Sequence, residues 1–130
     1  MTDRDAEPPF LVDGHHVVRY ALVDRSVPPP PHFSVLAAGV PVDLENVDRL
    51  IVAEDLVKGH VWLMHCNDDW ATIVAESFPD ADAAQSSAET RYAGVKVTWH
   101  RYRTLSASER KEVETTREFL REIAAEFPSE

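Results

Sequence analysis

Residues 60–76 read HVWLMHCNDDWATIVAE. This stretch holds two runs rich in β-branched and aromatic residues, His60–Cys66 and Trp70–Glu76, on either side of the polar triplet Asn67–Asp69. Asn and Asp favour tight connections because their side chains hydrogen-bond to the nearby backbone. The stretch therefore predicts an antiparallel strand pair joined by a three-residue loop.

A second hairpin is predicted toward the N-terminus. Asp13 and Gly14 stand between two apolar runs, 10–12 and 15–24, and an Asp-Gly pair in that position is a strong signal for a two-residue turn. The next segment, Pro28–Pro31, cannot donate backbone hydrogen bonds and indicates a stiff connector. It separates this hairpin from a further strand within 32–38.

Residues 41–59 are compatible with either a helix or a strand. Leu44, Val47, Leu50 and Ile51 have helical spacing, whereas the run Leu50–Ala53 fits a short strand. Periodicity does not decide between the two over so short a run.

The C-terminal third predicts a helix, a strand and a second helix. Asp80 is a candidate N-cap and Gly94 a candidate C-cap for about three turns of helix. Ser106 and Glu109 have the spacing of a capping box for the last helix. The positions that indicate the two helical faces and the intervening strand are Ala84, Ala88 and Tyr92; Val113, Thr116, Leu120, Ile123 and Phe127; and Val95, Val97 and Trp99.

Together these elements predict an α+β fold. We expect a mostly antiparallel sheet of five or six strands, with both helices packed on one side and the other face partly open. Residues 1–9 are expected to form a disordered tail and residues 10–130 a single domain.

The composition is typical of a globular protein. The chain has 130 residues, a formal net charge of -10 and one cysteine, Cys66, so an intramolecular disulfide is excluded and a reducing cytoplasm is the expected compartment. The acidic start lacks the features of a signal peptide. No apolar run approaches the roughly 20 residues that span a bilayer.

The negative charge is concentrated in the middle of the sequence, where residues 41–90 hold eleven acidic and two basic side chains. Such a surface repels nucleic acid and attracts basic proteins. We therefore expect a non-enzymatic protein that binds a basic protein partner, such as an immunity- or antitoxin-like inhibitor. A purely solubilising role for the charge is the alternative. The candidate partner-binding residues, which we call the acidic block, are Asp43, Glu45, Asp48, Glu54, Asp55, Asp68, Asp69, Glu76, Asp80 and Asp82.

Two further hypotheses remain open. His65, Cys66 and His100 would serve a small enzyme or a small-ligand-binding protein, although nearby Asp68 and Asp69 disfavour the thiolate that such chemistry needs. Alternatively, an open sheet face would support a homodimer. The spacing of histidine and cysteine predicts no metal site or cofactor.

One basic stretch interrupts this pattern: there is no acidic residue between Thr90 and Ser108. Its cations are Arg91, Lys96, Arg101 and Arg103. Because the acidic block is close by in sequence, internal charge complementarity explains this stretch better than nucleic-acid binding.

The run 65–70, HCNDDW, is followed by Ala88, Glu89, Tyr92 and Trp99. In this pattern the segment 60–103 resembles short, uncharacterised bacterial proteins. In those proteins a Cys-x-x-x-Trp hairpin precedes an Ala-Glu helix and a Trp-bearing strand. The resemblance implies no activity.

Overall fold

The computed structural model describes residues 7–24, 34–37, 40–43, 47–92 and 96–126. This part of the chain forms eight strands and two helices. The strands are β1 Leu11–Val12, β2 His15–Asp24, β3 Ser34–Ala37, β4 Val40–Asp43, β5 Arg49–Glu54, β6 Val61–Cys66, β7 Thr72–Phe78 and β8 Lys96–Arg101; the helices are α1 Ala81–Arg91 and α2 Ala107–Glu126.

Six of these strands form one antiparallel sheet in the order β1-β2-β5-β6-β7, with β8 also paired to β2. β1 pairs with the start of β2 and β8 with its second half, so β1 and β8 lie end to end along the same edge. β3 and β4 form a separate hairpin. The predicted α+β fold is confirmed, and the segment 41–59, whose structure the sequence left open, contributes strands.

The sheet is covered on both faces, which differs from the predicted arrangement. In β5, four consecutive apolar residues, 50–53, are fully buried, and successive side chains of a strand point to opposite faces. Leu50 and Val52 pack with α1, and Ile51 and Ala53 pack with α2. We call these the α1 face and the α2 face. The expectation that both helices share one side was wrong, and the open face on which the homodimer hypothesis rested is absent from the described part of the fold.

Local signals explain where both helices begin. The Asp80 carboxylate accepts a hydrogen bond from the backbone N–H of Ala83 at 2.8 Å, as an N-cap does. At the start of α2, Ser106 N–H donates to Glu109 and Glu109 N–H donates to the Ser106 hydroxyl, which is the predicted capping box. Tyr92 is the C-cap of α1, and the expected cap Gly94 lies outside the described residues. No helix in the described ranges is both long and apolar enough to cross a bilayer.

The two predicted hairpins form, but one loop is longer than expected. Asp13 and Gly14 have φ angles of 52° and 78°, and two positive φ angles are the signature of the two-residue turn. Between β6 and β7 the connection covers residues 67–71, because Trp70 has a φ of 64° and leaves the strand. Asn67 supports this loop by accepting hydrogen bonds from the N–H groups of Asp69 and Ala71. The predicted three-residue loop is therefore wrong by two residues.

Contacts between distant parts of the chain indicate that the sheet is curled. The Thr72 hydroxyl donates to the Asp13 carboxylate at 3.0 Å, which joins the β1–β2 turn to the far edge strand β7. The described residues begin at Glu7, within the stretch 1–9 that was expected to form a tail. Pro8 is fully buried, and its carbonyl accepts a hydrogen bond from the Tyr102 hydroxyl at 2.8 Å. Residues 1–6 of the expected tail lie outside the described residues.

Candidate functional site

A cleft of about 690 Å³ lies on the α1 face, at the end of the sheet that carries the β5–β6 turn. α1 begins at the rim of this cleft, so its body covers the centre of the sheet and leaves this corner open. The apolar part of the wall includes Val18, Val61, Pro79, Ala81 and Leu105. This surface suits the non-polar body of a small ligand.

Four arginines line the same cleft, and two of them have no carboxylate partner among the described residues. Arg101, at the end of β8, is exposed, and its side chain makes no hydrogen bond or ion pair within the described part of the chain. Arg110, in the first turn of α2, donates to the carbonyl of Leu105 at 2.8 Å. Both guanidinium groups keep N–H donors for an anion, because a guanidinium carries five of them.

The other two arginines are neutralised. Arg19 donates to Gln85 and pairs with Asp82, both at 2.9 Å, and the Asp82 side chain is 89% exposed. Arg103 forms a two-pronged pair with Glu109 at 2.7 and 2.8 Å. The Arg103 hydrogen bonds lower the pKa of Glu109 to about 2. Charge available to a ligand therefore comes mainly from Arg101 and Arg110.

A histidine and a glutamate face each other across two strands in this cleft. His16 of β2 and Glu54 of β5 are partners in the sheet register. The His16 Nδ1 atom lies 3.1 Å from Glu54 Oε1, and the side chains are 22% and 52% exposed. The pair is thus open to the cleft while fixed by backbone pairing.

The acidic block does not form one surface. Glu54, Asp55, Asp80 and Asp82 lie at the β5–β6 end of the sheet. Asp48, Asp68 and Asp69 lie at the opposite end, beside the β6–β7 loop. The side chain of Asp43 is not described, and Glu45 lies outside the described residues.

Several members of the acidic block serve internal contacts. Asp55 accepts hydrogen bonds from the N–H groups of Val57 and Lys58 and from the Trp62 indole. Burial raises the pKa of Asp55, but these bonds outweigh it and leave the pKa below its ordinary value. Asp80 caps α1 and Asp82 pairs with Arg19. These carboxylates stabilise the fold.

The β6–β7 loop keeps exposed carboxylates. Asp68 and Asp69 are exposed, and their carboxylates have no partner among the described residues. The curl of the sheet adds a third exposed acid, Asp13, through its hydrogen bond with Thr72 of β7. We call Asp13, Asp68 and Asp69 the acidic corner. Asp13 was not in the predicted acidic block, because only the curl brings it here.

The three residues expected to support catalysis are not brought together. His65 packs within the α1 face, whereas Cys66 lies in the core of the α2 face. His100 stacks on Tyr20 of the α2 face at 5.1 Å between ring centroids. Cys66 is fully buried, and this burial raises its thiol pKa to about 12. Within the described ranges, no group of three or more His, Cys, Asp or Glu side chains is arranged to hold a metal ion.

His65 instead belongs to a buried polar network. Its ring contacts the Tyr92 hydroxyl at 2.8 Å through Nδ1 and the Glu76 carboxylate at 2.9 Å through Nε2. Arg91 also donates to Glu76, at 2.5 Å. Burial raises the pKa of Glu76, but the bonds from His65 and Arg91 more than offset it, so the pKa is lowered. The network fastens the C-terminal end of α1 to β6 and β7.

Half of the arginine set stands in the basic stretch of the sequence, which was not predicted to form a site. Arg101 and Arg103 belong to the basic stretch that was assigned to internal complementarity, and Arg103 does pair internally. Arg91 does so as well, with Glu76. Arg101 departs from that interpretation. Arg19 stands far from this stretch in sequence, and the pairing of β2 with β8 places it there, whereas Arg110 follows the stretch by two residues in the first turn of α2.

Comparison of this chain with protein families, with curated proteins and with solved structures finds no match. Functional assignment therefore rests on the geometry of the cleft and of the acidic corner.

Proposed function

We propose that this chain is a binding protein whose cleft takes a small organic anion. The observation that carries the proposal is the presence of Arg101 and Arg110, both without a carboxylate partner among the described residues, in a cleft of about 690 Å³. Binding pockets for small molecules span roughly 300–1,000 Å³ and combine apolar walls with a few polar groups. The cleft has both features.

The net charge of -10 does not prevent anion binding at this place. At an ionic strength of about 0.1 M, charges are screened over roughly 10 Å, so the groups that line the cleft matter most. Its lining carries four arginines, Arg19, Arg101, Arg103 and Arg110, against the two carboxylates of Glu54 and Asp80. Arg19 adds a third guanidinium group that an anion can bind. Its ion pair with Asp82 is weak, because the Asp82 side chain is 89% exposed.

A binding role for the cleft is favoured because none of the residues that the sequence suggested for catalysis, His65, Cys66 and His100, is among its lining residues. The imidazole of His65 and the thiol of Cys66 are fully buried on opposite faces of the sheet. Neither residue lines the cleft. A reducing cytoplasm remains the proposed compartment, consistent with the unpaired Cys66.

Calorimetric titration with aromatic anions tests this proposal. We expect phenyl phosphate and benzoate to bind, and benzyl alcohol, which lacks the charge, to bind far more weakly. Arg101→Ala should weaken phenyl phosphate binding about tenfold or more, since hydrogen bonds to charged groups contribute roughly 1.5–3 kcal/mol. Its melting temperature without ligand should stay unchanged, because Arg101 is exposed and has no described protein partner.

The matched control is Arg121→Ala, which removes an exposed arginine of α2 that does not line the cleft. This variant should bind phenyl phosphate like the unmodified protein. Absence of measurable binding at millimolar concentration, or equal binding by Arg101→Ala, would contradict the proposal.

A second candidate function is the binding of a basic protein partner, as an immunity- or antitoxin-like inhibitor would do. The acidic corner supports it, because the curl of the sheet adds Asp13 to the exposed carboxylates of Asp68 and Asp69. Complementary charges of this kind accelerate association and lose effect as salt rises.

This candidate is tested by affinity purification from the native host at low and high salt. We expect a basic protein that is retained at low salt and is lost from an Asp68→Asn, Asp69→Asn double variant. Glu89→Gln, which neutralises an exposed carboxylate of α1, should retain it. Recovery of no basic protein at either salt concentration argues against this candidate.

A further inference from the structure

The His16–Glu54 pair in the cleft has a defined proton arrangement. A carboxylate only accepts hydrogen bonds, so the 3.1 Å contact between His16 Nδ1 and Glu54 Oε1 requires the hydrogen on Nδ1. In the neutral ring, Nε2 is then an unprotonated acceptor. Among the described residues nothing hydrogen-bonds to that atom, and the side chain is 22% exposed where it lines the cleft.

The sheet register places Glu54 beside the Nδ1 side of the His16 ring. The two residues are direct register partners in adjacent strands, so their side chains leave the sheet on the same face and close together. Glu54 is thus a positioning residue for His16. Within the described chain, His16 supplies an acceptor to a cleft whose arginines supply only donors.

We propose that His16 is the specificity-determining residue of the cleft and selects organic anions that also carry a hydroxyl or amino donor. The anionic group contacts Arg101 and Arg110, while the donor of the ligand is accepted by His16 Nε2. This inference rests on the proposed anion-binding function. It adds the second polar group of the ligand, which the arginines alone do not specify.

The proton arrangement is tested without any ligand by long-range ¹H–¹⁵N NMR of the histidine rings. At a pH at which the ring is neutral, the expected result is a hydrogen on Nδ1 of His16, the opposite of the tautomer that free histidine prefers. Glu54→Ala should return His16 toward the free-histidine tautomer. A hydrogen on Nε2 in the unmodified protein would overturn the inference.

Ligand selection is tested by calorimetry with benzoate, 3- and 4-hydroxybenzoate and their methoxy counterparts. We expect one hydroxybenzoate to bind about fivefold to tenfold more tightly than its methoxy counterpart, which is the effect of one hydrogen bond. His16→Phe keeps a ring but removes the acceptor, so it should abolish this ratio while benzoate still binds. A merely structural role of His16 would change all the affinities together.

The outcomes separate the two proposals. If phenyl phosphate, benzoate and both hydroxybenzoates all fail to bind the unmodified protein, anion binding and the selection by His16 both fail. If only phenyl phosphate binds, anion binding stands and the selection by His16 fails. If they bind but no hydroxyl preference exists, or if His16→Phe keeps the preference, only the role of His16 is overturned.

Discussion

At the level of single residues, the stability of a buried polar side chain depends on whether its polar atoms have hydrogen-bond partners. His65 is fully buried, yet both ring nitrogens are satisfied: Nε2 donates to the Glu76 carboxylate, and Nδ1 is hydrogen-bonded to the Tyr92 hydroxyl. A buried polar group without a partner costs about 1–3 kcal/mol. The network therefore depends on each of its members.

Tyr92→Phe should lower the free energy of unfolding by about 1–3 kcal/mol, because it removes only the hydroxyl and leaves His65 Nδ1 unpartnered. Urea denaturation measures this. Tyr20→Phe is the control, since the Tyr20 hydroxyl makes no described hydrogen bond, and it should change stability by less than about 0.5 kcal/mol. Equal stability of Tyr92→Phe and the unmodified protein would contradict the network.

Cys66 should resist alkylation in the folded protein. Its thiol is fully buried and burial raises its pKa to about 12, so the reactive thiolate is scarce near neutral pH. Iodoacetamide should label Cys66 rapidly in denaturing urea and much more slowly without it, as followed by mass spectrometry. Equally rapid labelling of the folded protein would restore Cys66 as a candidate nucleophile.

At the level of elements, both helices depend on side chains at their first turn. The Ser106 hydroxyl accepts from Glu109 N–H at 3.2 Å, and Glu109 accepts from Ser106 N–H at 2.8 Å. These bonds satisfy backbone groups that have no partner within the helix. The same short sequence pattern that creates this cap also made it predictable.

Ser106→Ala should lower the free energy of unfolding by about 1 kcal/mol, the typical effect of losing an N-cap, and should speed amide exchange at Glu109. Ser86→Ala is the control because Ser86 is an exposed position within α1, and its effect should stay within about 0.5 kcal/mol. The two values can be compared by urea denaturation. Similar values for both variants would show that the cap contributes nothing.

The sequence predicted the elements better than their arrangement. Capping residues and the Asp13–Gly14 turn act on their immediate neighbours, so their signals are local and were identified. The side on which α2 packs depends on β5, whose run Leu50–Ala53 is apolar at every position. A strand apolar at successive positions is buried on both faces. That signal is present in the sequence, but a run of four apolar residues fits a buried helix segment as well as a buried strand.

At the level of the whole molecule, the pH dependence of stability combines two groups of side chains. Burial lowers the pKa of His15 below its ordinary 6.5. The charges of Asp55 and Asp13 oppose this shift, and the nearby His60 adds to it. Between the pKa of folded His15 and that of unfolded His15, the unfolded chain therefore binds more protons, and stability rises with pH up to about 6.5.

The carboxyl groups of Asp55, Glu76 and Glu109 have lowered pKa values. Their stabilisation is present above about 4.5 and is lost as pH falls.

Urea denaturation across this range should show two successive losses of stability on acidification. His15→Gln should flatten the first, which begins as the pH falls below about 6.5, and leave the second in place. Glu76→Gln should reduce the second. A stability that is constant down to pH 4.5 in the unmodified protein would contradict the effect assigned to His15.

The cleft could not be predicted at this scale because it joins residues that are distant in sequence. Arg19 and Arg101 become neighbours through the register of β2 with β8, and His16 meets Glu54 through that of β2 with β5. Composition revealed only the acidic excess. It did not reveal that several carboxylates are used in caps, turns and ion pairs. Nor did it reveal that the fold gathers four arginines in one cleft.

The shared edge of β2 has a consequence for synthesis on the ribosome. β1 covers only the start of that edge, and the rest waits for β8, whose last residue is Arg101. A nascent chain that has not yet reached this point exposes unpaired backbone groups along β2, which are a template for aggregation. β8, the last described strand to be synthesised, thus completes the edge of β2 that β1 covers only in part. During synthesis, this edge stays partly unpaired until β8 has been made.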